Sequence, residues 1–144
     1  MRRSGRHRQL GGGYDVKRLT GRVIKPGKAS GIALVSPEPI SFFGMVDATT
    51  GVVIEPGHPL AGEQIGGRVL VFPTGKGSTV GSYSLYRLAK AGHAPAAIIN
   101  AESDPIVAVG AIISDIPMVD QVDITQIRTG DRVHVEGAQI IVEG

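Results

Sequence analysis

Taken as a pattern of apolar and polar positions, the chain is mostly a succession of short strands. Leu19–Lys25 and Gly31–Val35 both read as strands, with Pro26-Gly27 marking a turn between them. Thr49–Ile54 reads as another, ending in Glu55-Pro56-Gly57-His58-Pro59. Val69–Phe72 is a continuous apolar run bounded by glycine and proline, as expected of a strand buried on both faces. Ala96–Asn100 and Ile116–Val119 are further strands, and Arg132–Val135 with Gln139–Val142 form a hairpin about Glu136-Gly137.

Two segments carry helical signals instead. After Thr74-Gly75-Lys76-Gly77-Ser78-Thr79, either Ser78 or Thr79 is placed to cap a helix. That helix sets Leu85, Leu88 and Ala89 on one face and stops at Gly92. Asp104-Pro105 opens a second helix, Ile106 to Ile113, with proline in its first turn. Many strands around two central helices predict an α/β domain with mixed strands. Ser41 to Asp47 (S-F-F-G-M-V-D) fits neither period. Its adjacent Phe42 and Phe43 would face opposite ways in a strand, so the segment reads as an irregular buried loop or as a loop lending one ring to a ligand or partner.

Composition narrows this picture. A length of 144 residues suits one domain, and 21 glycines, about twice the usual share, imply many tight turns around an aliphatic core. The formal charge of +2 hides an asymmetry: seven of the basic residues lie in 1–22, against Asp15 alone. Residues 1–18 therefore read as a basic, disordered arm or a gene start placed too early, and 19–144 as the folded domain. Nucleic acid is not the expected partner, because no aromatic platform accompanies the arm. The absence of cysteine excludes disulfides and any thiolate-held zinc or iron–sulfur centre within this chain. With no apolar run of membrane-spanning length and no secretory signal core, a soluble cytoplasmic protein is expected.

The chemistry concentrates in the glycine turn. Ser78, Lys76 and the free amides of a helix start would surround one small concavity suited to an anion or a developing negative charge. A nucleotide P-loop is excluded, since Gly77 separates Lys76 from Ser78 and Leu70 stands where the first glycine belongs. As a nucleophile or base, Ser78 needs a neighbouring base or an alkoxide-stabilising environment. No Ser-His-Asp order is recognisable: His7 lies in the arm, His134 in the hairpin, His93 at a helix end, and only His58 is placed to approach a site. Stabilisation by the helix start and Lys76 fits better. Glu102 and Asp104 are explained by helix capping. No recognised ligand spacing supports magnesium.

Four segments in order, S-F-F-G-M-V-D-A-T-T-G, E-P-G-H-P-L-A-G-E, V-F-P-T-G-K-G-S-T-V-G-S-Y and D-P-I-V-A-V-G-A-I-I-S-D-I-P-M-V-D, resemble the small subunit of aconitase-X-type hydro-lyases. The resemblance runs from about Leu19 to Gly144. It implies the swivelling β/β/α domain of the aconitase superfamily, closing over a large subunit that holds an iron–sulfur cluster of the 4Fe-4S kind. It puts the proton acceptor on Ser78 and, with the chemistry above, assigns Lys76, Gly77 and Ser82 to the carboxylate or phosphate of a small phosphorylated hydroxy acid. Archaeal members of this family dehydrate (R)-5-phosphomevalonate in a route to isoprenoids, and bacterial relatives act on cis-3-hydroxy-L-proline. A non-catalytic anion-binding module is the reading from a different class.

Overall fold

A computed structural model describes residues 7–8 and 15–144. Most of the expected basic arm lies outside the described residues. Nine strands form one sheet: β1 (His7–Arg8), β2 (Asp15–Thr20), β3 (Arg22–Lys25), β4 (Lys28–Val35), β5 (Val69–Phe72), β6 (Ala97–Asn100), β7 (Met118–Asp120), β8 (Arg132–Glu136) and β9 (Gln139–Glu143). Their spatial order is β1-β2-β9-β8-β4-β5-β6-β7-β3. Pairing is antiparallel from β1 to β4, parallel from β4 through β7, and antiparallel again at β3.

Strand β4 joins the two halves of the sheet. Lys28–Ile32 pairs with β8, and Ala33–Val35 pairs with β5. The halves enclose one core, where Ala33, Val69, Val71, Ala97, Ile99 and Val119 meet Val133, Val135, Ile140 and Val142. The alternate residues of the parallel strands, Leu34, Leu70, Phe72, Ile98 and Met118, point the other way. They pack beneath α2 (Val80–Lys90) and α3 (Pro105–Ile113) through Leu85, Leu88, Val107 and Ala111. The result is three layers, β on β on α, with both faces of the parallel strands buried as their unbroken apolar runs require. The mixed-strand β/β/α expectation holds.

Three local expectations change. Leu19–Lys25 is two strands, not one. A side chain at Gly21 would come within 2.7 Å of the Asp120 carbonyl oxygen, Val119 and Val122, while the Gly21 N–H donates to the Ala138 carbonyl at 3.0 Å. Gly21 thus touches β7 on one side and the β8–β9 turn on the other, so the sheet curls until β2, near one end of the order, leads directly into β3 at the other. Thr49–Ile54 is no strand: only single bridges, Val46 to Val53 and Val52 to Gln64, form there. The Asp47 carboxylate ties down the amides of Thr49 and Thr50 (2.8 and 3.1 Å), and Gly51 sits at φ +77°, so the chain turns where it would have to extend. The Ser41 loop is irregular but only partly buried. Its single interrupted turn, α1 (Phe42–Met45), buries Phe42 edge-on against Phe72 (centroids 6.1 Å apart) and leaves Phe43 55% exposed.

Candidate active site at the start of helix α2

The carboxyl ends of parallel strands are where open α/β sheets place their ligand sites, and here the turn after β5 carries Lys76, Gly77 and Ser78. Its path is fixed residue by residue. The Asn100 carboxamide donates to the Phe72 carbonyl (3.0 Å), and the Glu102 N–H donates to the Pro73 carbonyl (3.0 Å). Ile40 N–H donates to the Thr74 carbonyl (3.3 Å), and Lys76 N–H donates back to the Ile40 carbonyl (3.0 Å). A side chain on Gly75 would strike the Asp104 carboxylate and Val107, so the turn lies hard against the start of α3. Asp104 caps that helix through the amides of Ile106 (3.3 Å) and Val107 (3.2 Å), as its position after β6 predicts.

Lys76, Gly77 and Ser78 are all solvent-exposed. The expected cap divides between two residues. Thr79 holds the cap position with no side-chain bond, while the Ser78 Oγ accepts the Val80 N–H at 3.1 Å. The Ser78 carbonyl then accepts the Gly81 N–H at 2.9 Å. Among the described residues, the amides of Gly77, Ser78 and Thr79 have no hydrogen-bond acceptor, and no carboxylate pairs with Lys76. Ser78 therefore stands at a helix start, its oxygen receiving the Val80 N–H, two residues after Lys76 and within a run of amides that have no acceptor, and a helix start favours negative charge on that oxygen.

Other candidates are placed elsewhere. Ser82 is not among the open donors of this turn: its hydroxyl donates to the Ile106 carbonyl at 2.6 Å and locks α2 to α3. His58 is buried in its own turn, with Nδ1 accepting the Leu60 N–H at 3.0 Å. His93 completes the end of α2, donating its N–H to the Leu88 carbonyl (2.9 Å) after Gly92 at φ +82°. His134 lies on the outer face of the antiparallel strands, between Ser30 (2.7 Å) and Glu143 (3.3 Å). Among the described residues no histidine side chain hydrogen-bonds Ser78.

Sequence reasoning missed one neighbour of the turn, one support beneath it and one buried carboxylate. Ser41, whose hydroxyl donates to the Phe43 carbonyl (3.1 Å), fills the space beside Gly77, which sits at φ +105°. Asn100, the polar end of an apolar strand, was a visible signal without a visible target. Along the same rim, Asp120 is wholly buried and receives two bonds from Arg22 (2.9 and 2.7 Å) and two from Ser103 (side chain 2.7 Å, amide 3.1 Å). Burial alone would raise its carboxyl, but the Arg22 and Ser103 hydrogen bonds and the Arg22 charge together outweigh it and hold the group at about 2.

The layers and this serine-bearing turn define the class. A sequence profile described as the aconitase X swivel domain matches residues 18–144, and the chain belongs to that family. The chain is 55% identical over 129 residues to the phosphomevalonate dehydratase small subunit of Methanosarcina acetivorans, covering 88% of this chain and 90% of the relative. It is 51% identical over 126 residues to the protein of the same name from Thermococcus onnurineus, covering 88% and 97%. The holo-form crystal structure of Thermococcus kodakaraensis aconitase X superposes with a TM-score of 0.85 at 50% identity, over 87% of this chain and 97% of that one.

Among the described residues no helix is long and apolar enough to cross a membrane, and no three His, Asp or Glu side chains gather as metal ligands. With no cysteine in the sequence, the residues present do not fit an iron–sulfur cluster on this chain.

Proposed function

We propose that this chain is the small subunit of a cytoplasmic phosphomevalonate dehydratase, removing water from (R)-5-phosphomevalonate to give trans-anhydromevalonate 5-phosphate, with Ser78 as proton acceptor. Two kinds of support meet here: the names of relatives at 51–55% identity, and the Ser78 site itself. The observation that carries the chemistry is the bond from the Val80 N–H to the Ser78 Oγ at the positive end of α2. An oxygen that receives a backbone N–H at a helix start, with no histidine bonded to it among the described residues, is set up to be held as an alkoxide.

In this reading the Ser78 oxygen takes the proton from the carbon beside the substrate carboxylate. The electron pair of that C–H bond becomes the new double bond as the hydroxyl on the neighbouring carbon departs, so the elements of water leave as that proton and that hydroxyl. The unpaired amides of Gly77, Ser78 and Thr79 and the Lys76 ammonium stabilise the negative charge that builds up on the carboxylate oxygens. Lys76 and the Gly77 N–H bind the substrate anion. Ser82 is left out of the binding set because its hydroxyl hydrogen is engaged by Ile106. An aconitase-type cluster would be held by the larger partner that the relatives' name implies.

The test is anaerobic co-expression with the large subunit and an assay of 5-phosphomevalonate dehydration by wild type and Ser78→Ala. Turnover by wild type, and its loss by about 10²–10⁴-fold in an assembled, cluster-loaded Ser78→Ala complex, supports both substrate and base. An intact complex that turns over cis-3-hydroxy-L-proline instead corrects the substrate. A chain that forms no complex and only binds anions overturns the enzymatic reading.

A further inference from the structure

Asn100 is the sole asparagine of the chain, and it is completely buried. It ends β6 two residues after Ile98, and so shares the helix-facing side of the sheet with its register partner Phe72. Its Nδ2 group donates to the carbonyls of Phe72 (3.0 Å) and Ile99 (3.2 Å). Those two acceptors fix which way the amide points, because an oxygen in that place would face two other oxygens. Its Oδ1 is then left buried with no hydrogen-bond partner among the described residues. A buried acceptor without a donor is destabilising, and a leucine of similar size would fill the space without stranding one.

What the asparagine supplies instead is a hold on Phe72. That residue is the last of β5, three ahead of Gly75 and six ahead of Ser78. The next carbonyls along the chain, Pro73 and Thr74, are held by backbone amides alone, and Gly75 rests on the Asp104 carboxylate. Asn100 is therefore the buried side chain that anchors the point from which the Ser78 turn leaves the sheet.

We propose that Asn100 is a positioning residue for the dehydration. Its carboxamide N–H, by holding the Phe72 carbonyl, sets where the Ser78 oxygen stands against the carbon that loses its proton. This inference rests on Ser78 as the base. It gives Asn100 no contact with substrate.

Two near-isosteric variants of the assembled, cluster-loaded complex test it, Asn100→Leu and Asn100→Asp, beside Ser78→Ala. Both Asn100 variants remove the donor to Phe72. The expected result is a fall in kcat of about 10–100-fold per assembled complex, the scale of a misplaced reacting group. KM should stay within about twofold, since substrate binding is not what is lost. The primary deuterium isotope effect on kcat, with substrate labelled at the carbon that loses its proton, should be at least as large as in wild type. Wild-type kcat in the assembled Leu variant overturns the proposal, as does an isotope effect that falls to unity. Failure of both variants to assemble also overturns it, because Asn100 is then architectural. If Ser78→Ala keeps wild-type turnover, the base assignment falls and this inference with it. If Ser78→Ala is inactive while both Asn100 variants are fully active, Asn100 alone is wrong.

Discussion

Ser41 occupies the space that a side chain on Gly77 would need, and Gly77 itself sits at φ +105°. Two independent constraints, a steric one from 36 residues upstream and a conformational one, thus fall on the residue just before Ser78. Gly77→Ala is expected to cost about 1–3 kcal/mol in backbone strain and most of the turnover. Gly62→Ala, at φ +87° but with open space around it, should show the strain without the loss of kcat. Thermal melts and turnover of the assembled complexes separate the two, and equal losses of kcat in both would sink the idea.

The split fates of the adjacent phenylalanines give a second contrast. Phe42→Ala removes a buried ring packed on Phe72 and should destabilise by about 3–5 kcal/mol. Phe43→Ala, more than half exposed, should stay within about 0.5 kcal/mol of wild type. Urea unfolding of each variant reads both values.

How much of this was legible in the sequence depends on how local the cause was. Val69–Phe72 and Pro105–Ile113 could be read directly, because burial on both faces and a proline after a capping aspartate are written within the segment. The break at Gly21 could not, since it is imposed by Asp120 and Ala138, about a hundred residues away. Thr49–Ile54 looked like a strand because its composition is strand-like, yet no neighbouring strand is supplied to pair along its length. In the candidate site, Lys76, Gly77 and Ser78 could be picked out by chemistry and spacing. Ser41 and Asn100 could not, because each matters through one contact that only the fold brings about.

Asp120 predicts a specific acid dependence. Its carboxyl is held down from an ordinary 3.8 to about 2, so its stabilisation is complete above pH 3.8 and is lost as pH falls toward 2. The shift corresponds to about 2 kcal/mol. Asp120→Asn should be less stable than wild type by at least about that amount at pH 7, and the difference should shrink by it as pH falls to 2. Denaturation midpoints at pH 7, 4 and 2 check this, and a gap of constant size would show that the buried charge is not responsible.

Lys76→Met tests the binding half of the role proposed for this lysine. If its ammonium grips the substrate anion, Lys76→Met should raise KM by about tenfold or more, and Lys76→Arg should restore part of it because the charge returns. The wild-type KM should rise with ionic strength, and the Met variant's much less. A Met variant with wild-type KM and the same salt dependence would move anion recognition to the partner subunit.

The closing of the sheet through Gly21 also orders events in time. Arg22 finds its partner Asp120 98 positions later, and β2 pairs with the last strand of the chain. A ribosome adding about 5–20 residues per second makes β2 and β3 early and their partners late, so these strands wait several seconds for them. In that interval β2 has only the two-residue β1 beside it, and β3 has nothing. Strands β2 and β3 are thus a latch that cannot be fastened until β9 and β7 have emerged, and the nascent chain is open to edge-to-edge aggregation in the interval before they do.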